Sequence, residues 1–108
     1  MTQSPEIPEV DPSEARTRME AGVRHVDVRE PDEVAAKRIP GGENVPLSSF
    51  LDAYESALSK EVPVIVSCRS GARSGRVTAF LVEHGYDAVN LAGGILAWER
   101  EGLPVERG

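Results

Sequence analysis

The chain has one cysteine, Cys68, in 108 residues. No internal disulfide is available, so the fold must rest on its core and not on covalent staples. A chain this long buries enough apolar surface to do that as a single domain, 1–108. Aromatics are scarce, at 5%. No apolar run approaches the roughly 20 residues needed to cross a bilayer. The opening stretch "MTQSPEIPEVDPSE" lacks a basic segment followed by an apolar one, so no signal peptide is expected. Together with the free thiol, these features predict a cytoplasmic protein that meets no membrane. The two histidines are distant from the cysteine and give no metal-ligand spacing. No metal or cofactor is expected.

Carboxylates are missing from one place. None lies between Glu61 and Glu83, whereas Arg69, Arg73 and Arg76 all do. The chain carries a net −6, so this segment is +3 and the remainder −9. An acidic body argues against nucleic acid as a partner. The cationic island predicts a small anion as one.

What is present alternates between strand and helix patterns. "EIPEV" (6–10) reads as a short strand. "DPSEARTRMEAG" reads as a helix with Asp11 as N-cap, Pro12 in the first turn, Glu14 closing a capping box and Gly22 as the stop. "VRHVDV" (23–28) is a β-branched strand. "EPDEVAAKR" predicts a short helix from Pro31, followed by a loop, "IPGGENVP". Ser48 or Ser49 is placed to cap "FLDAYESAL". The strand "VPVIVSC" (62–68) follows, then a helix with Val77, Phe80, Leu81 and His84 on one stripe, ended by Gly85. "AVNL" (88–91) is a strand and "GGILAWERE" a last helix, stopped by Gly102. Strands separated by helices predict an α/β fold with parallel pairing. The continuous apolar character of "VPVIV" suits a central strand covered on both faces. Ligands of such sheets bind beyond the carboxyl ends of the strands, and Cys68 lies at one of them.

The turn "SCRSGARSG" (67–75) concentrates the chemistry. A free thiol has a pKa near 8.5 and is only about 3% thiolate at pH 7. Arg69, Arg73 and the start of the next helix all favour the anion. Gly71 and Ala72 allow successive amides to curl toward one point, as an anion-binding nest. Lone cysteines at strand ends are more often inert packing. Here the conjunction of strand, cysteine, cationic glycine-containing turn, amphipathic helix and absent carboxylates favours a nucleophile.

The segment "VSCRSGARSGRVTAFLVEHGYDAVNLAGGILAWEREGLPV" (66–105) closely resembles the single-domain rhodaneses, which are sulfurtransferases. "DVREPDEV" and "IPGGENVPL" resemble that family's two other motifs, in the expected order. The resemblance covers the core of the domain, 6–105, and implies a rhodanese-like five-stranded parallel sheet flanked by helices on both faces. It implies catalysis by Cys68, which takes sulfane sulfur from thiosulfate or a similar small anionic donor as a persulfide. Cyanide or a thiol, a protein thiol included, then accepts the sulfur. The loop amides of Arg69, Ser70, Gly71, Ala72, Arg73 and Ser74 would cradle the persulfide, and the arginines would hold the donor's sulfonate. Val34, Lys37, Arg38 and Gly42 depart from the family's usual aromatic, Gly-His and Ala. They fall outside the catalytic turn, in what reads as a connecting segment.

Other residues carry weaker signals. Asp27 and Arg29, two apart, predict a structural ion pair that extends to Glu33. His25 and His84 stand near enough in type to serve as a base, but a cationic nest needs none. Gly93 and Gly94 predict close packing of the last helix, and Trp98 a core position. Four functions remain in competition: a thiosulfate-type sulfurtransferase, a protein-facing sulfur carrier, a phosphatase or arsenate reductase sharing the cysteine turn, and a non-catalytic binding module. The last expects the cysteine to be lost. Phosphatases of this fold place five residues between Cys and Arg, whereas "CRSGAR" has four.

Overall fold

The computed structural model describes residues 7–108, and the structural statements below concern those residues. The opening residues of the leader reading, and Glu6 of the first expected strand, lie outside them. The elements run β1 (Glu9–Val10), α1 (Pro12–Glu20), β2 (Arg24–Asp27), α2 (Pro31–Ala36), β3 (Lys37–Arg38), β4 (Glu43–Asn44), a 3-10 turn (Leu47–Ser49), α3 (Phe50–Ala57), β5 (Val64–Ser67), α4 (Ala72–Glu83), β6 (Ala88–Leu91), α5 (Gly94–Arg100) and β7 (Glu106–Arg107).

Five strands form one parallel sheet in the order β1-β6-β5-β2-β4. β5 is central and every residue of it is buried, as a strand covered on both faces must be. Alternation along the strands sends Val26, Val64, Val66 and Ala88 to one face, where Phe50 of α3 and Val77 and Leu81 of α4 cover them. Ile65 and Leu91 point the other way, against Ala15 of α1 and Ile95 and Trp98 of α5. The fold is α/β, with helices on both faces.

Three expectations need correction. The helix read over "EPDEVAAKR" ends at Ala36, because Lys37 and Arg38 pair antiparallel with Arg107 and Glu106 as a separate two-stranded ribbon. The loop "IPGGENVP" contains the fifth strand, β4, whose Glu43 and Asn44 pair with Val26 and Asp27. Glu43 is also clamped by Arg24 at 2.7 and 2.9 Å. At α1, Asp11 accepts the Glu14 amide at 2.8 Å, but the Glu14 carboxylate turns to Arg18 at 2.9 Å and leaves the box half made. A capping box forms instead at α2, where Glu33 accepts the Glu30 amide at 3.0 Å.

Candidate active site

Cys68 follows β5 directly, and its thiol is buried, with the residue 1% exposed. The chain then turns sharply through Gly71, whose φ of +98° belongs to the left-handed region that favours glycine, and enters α4. That turn aims donors at one atom. The Gly71 amide lies 3.1 Å from Cys68 Sγ, the Ser74 amide 3.4 Å, and the Ser74 hydroxyl 3.3 Å. Burial alone pushes the thiol pKa up and is the largest single influence. The Ser74 hydroxyl and the amides of Ser74, Gly71 and Ser70 together outweigh it, and the pKa falls below its ordinary value. The stabilised form is the thiolate.

The carbonyls of the same turn point away from the sulfur. Ile95 N donates to the Cys68 carbonyl at 3.0 Å and Leu96 N to that of Arg69 at 3.1 Å. The first turn of α5 is thus the back wall of the loop. Gly94 sits at this contact with φ +60°, and a Cβ there would fall 2.6 Å from Cys68 O and from Arg69 C. The paired glycines serve close packing, as their sequence predicted. Asn90 of β6 holds a third carbonyl: its Nδ2 donates to Gly71 O at 3.2 Å and to Glu9 Oε2 at 2.9 Å. Nothing in the sequence near Asn90 signals this anchor, which exists only once β6 lies beside β5.

The charges are arranged differently from the expectation. Arg69 and Ser70 are exposed, and Arg69 has no ion pair among the described residues. Arg73 is bound at two points by Glu33, at 2.8 and 3.0 Å. The turn contains no carboxylate, yet the fold delivers one from 40 residues upstream. The sequence predicts Glu33 as an extension of the Asp27–Arg29 pair. That pair is present and buried, at 2.8 Å, but Arg29 reaches only the backbone carbonyl of Glu33, at 3.5 Å.

His25 lies on the opposite face of the sheet from Cys68, its Nε2 2.6 Å from Ser67 Oγ. His84 closes α4, bonded to the Phe80 carbonyl at 2.8 Å. Trp98 is core, donating to Pro104 O at 2.7 Å. Of the departures, Gly42 has a physical reason, because a Cβ there would stand 2.8 Å from His25 Nδ1. Arg38 pairs with Glu106 at 3.4 Å in the two-stranded ribbon. Among the described residues no group of three or more His, Cys, Asp or Glu is placed to hold a metal ion. No helix among them is long and apolar enough to cross a membrane.

A buried cysteine sulfur cradled by amides after the central strand of a five-stranded parallel sheet narrows the comparison with known proteins. Residues 11–101 match the family model of the rhodanese-like domain, and the chain belongs to that family. A sulfurtransferase of Allochromatium vinosum is 43% identical over 81 residues, 74% of this chain and 75% of that protein. Thiosulfate sulfurtransferase GlpE of Haemophilus influenzae is 35% identical over 91% of this chain and 93% of its own. Among solved structures, a rhodanese-related protein from Thermoplasma volcanium superposes with a TM-score of 0.83 at 29% identity, covering 92% of this chain and 97% of that one.

Proposed function

We propose that the protein is a thiosulfate-type sulfurtransferase working through a persulfide on Cys68. The observation that carries this reading is the convergence of Gly71 N, Ser74 N and Ser74 Oγ on a single sulfur atom, within 3.4 Å. In the first half-reaction the thiolate attacks the outer sulfur of the donor. The donor's S–S bond breaks, and sulfite leaves with the electron pair. In the second half-reaction cyanide or an external thiol takes the outer sulfur and returns the thiolate, a ping-pong sequence. The chain's single cysteine leaves no internal thiol to resolve the persulfide. Arg69, next to Cys68 in the chain, exposed and without an ion pair among the described residues, is assigned to the donor's sulfonate. A free nucleophilic thiol suits a reducing compartment, and we assign the activity to the cytoplasm.

The phosphatase reading is disfavoured by the loop. A phosphoryl group needs three outer oxygens inside the ring of amides, and here the amides already close on the sulfur. Aryl phosphates and arsenate should not turn over.

Intact mass spectrometry after thiosulfate treatment tests the proposal. The protein should gain one sulfur atom and lose it to cyanide, and Cys68→Ser should do neither. No added sulfur from any donor, or sulfur retained by the Ser variant, sinks it.

A further inference from the structure

Arg73 does not face the site as a free cation. Glu33 grips its guanidinium at two points, 2.8 and 3.0 Å apart from it, with both side chains less than a third exposed. The carboxylate is itself fixed, because Glu33 Oε1 also accepts the Glu30 amide at 3.0 Å in the first turn of α2. This pair bridges the elements that follow β2 and β5. Those two strands are neighbours, and from them the chain leaves toward opposite edges of the sheet. The crevice at such a point is where open parallel sheets bind ligands. The Cys68 thiolate is one of the charges that strengthen Arg73's hold on its proton, so Arg73 and its partner share the sulfur's electrostatic neighbourhood.

We propose that Glu33 is a specificity-determining residue that tunes selection of the sulfur donor by charge, shifting the ratio of use away from dianionic thiosulfate toward singly charged thiosulfonates, R–SO2–S⁻. The inference rests on the sulfurtransferase reading above. With Glu33 in place Arg73 belongs to a neutral pair; without it Arg73 adds one full positive charge to what a donor meets. A dianion pays the repulsion of the fixed carboxylate on one more unit of charge than a monoanion does. The Arg73 contact, foremost, holds the Glu33 pKa down to about 2, so the charge is present at every working pH. Both donors undergo the same step. The thiolate bonds to the outer sulfur, the donor's S–S bond breaks, and sulfite or a sulfinate leaves with the electron pair.

The test compares kcat/KM for thiosulfate and methanethiosulfonate in the parent and in Glu33→Gln. Glutamine keeps the capping bond and a neutral contact to Arg73 while removing the charge. The thiosulfate-to-methanethiosulfonate ratio should rise about threefold to tenfold at low salt, the size of one added charge interaction well screened by water. The rise should shrink in 1 M salt, where screening acts within about 3 Å. Glu33→Asp keeps the charge and should keep the parent ratio, whatever happens to absolute rates. An unchanged ratio in Glu33→Gln, or an equal shift in Gln and Asp, assigns Glu33 to loop anchoring alone and overturns the proposal. Persulfide formation on the parent is read separately. Its absence with both donors would refute the sulfurtransferase reading, whereas the ratio bears on Glu33 only.

Discussion

Ser74 is the residue that gives Cys68 two donors, an amide and a hydroxyl, 3.4 and 3.3 Å from Sγ. The amide belongs to the backbone and survives any substitution, so the hydroxyl can be removed alone. Its loss takes away the largest of the influences that favour the thiolate. Iodoacetamide modification of the parent, followed against pH, should therefore show a midpoint below that of an ordinary thiol, and Ser74→Ala should move it upward. A parent midpoint at or above about 8.5 would mean that burial wins over the donors. In the proposed mechanism Arg69 acts on the donor and not on the sulfur. Arg69→Ala should lower kcat/KM for thiosulfate about tenfold or more, as expected when one charge-assisted contact is lost. Arg16→Ala on α1 should change nothing, since Arg16 pairs with Glu20 away from the site. Equal behaviour of the two variants in steady-state kinetics would remove Arg69 from the anion site.

The loop and the first turn of α5 form a single unit, because two carbonyls of one bond the amides of the other. Gly94→Ala forces a methyl into a space already filled by Cys68 O and Arg69 C, each 2.6 Å from the ideal Cβ. Either α5 withdraws or the loop turns. We expect a stability loss of about 2 kcal/mol or more in urea unfolding, together with slower persulfidation of the folded protein. A variant as stable and active as the parent would show that the contact is loose. Elements differ in how far their sequence announces them. β5 and β6 are legible as apolar runs, and α4 as a stripe from Val77 to Leu81, since burial writes itself into local pattern. β4 is not, having two exposed residues, Glu43 and Asn44, whose strand geometry comes from pairing with β2 and from Arg24. β3 and β7 are likewise two residues each. The same limit holds at the site. Cys68, Gly71 and Ser74 are contiguous enough to be read from one turn, whereas Glu33 and Asn90 come to it only through the order of strands.

Across the whole molecule, the face of the sheet turned away from the Cys68 side chain carries a buried histidine. His25 is 3% exposed, bonded through Nε2 to Ser67 Oγ at 2.6 Å, and its Nδ1 has no partner among the described residues. Burial is the main reason that its pKa drops to about 4; Arg29 adds to the effect, while Asp27 and Glu43 oppose it. The unfolded chain binds that proton near pH 6.5. Below pH 6.5 the unfolded state therefore holds more protons than the folded one, and stability falls with pH until the folded His25 also titrates. The contribution is fully present above pH 6.5 and is lost as pH falls toward 4, about 3 kcal/mol in all. Glu33, its pKa lowered to about 2, adds a second loss at lower pH, beginning near its ordinary value of 4.5. The two losses are separable by substitution. His25→Gln keeps a polar group for Ser67 but cannot titrate, so urea unfolding of that variant should show a flatter pH dependence between 6.5 and 4. Glu33→Gln should leave the slope between about 6.5 and 5.5 and flatten the one below 4.5. A ring-carbon NMR titration of the folded protein that places His25 near 6.5 would contradict the buried neutral histidine, as would an unaltered slope in His25→Gln.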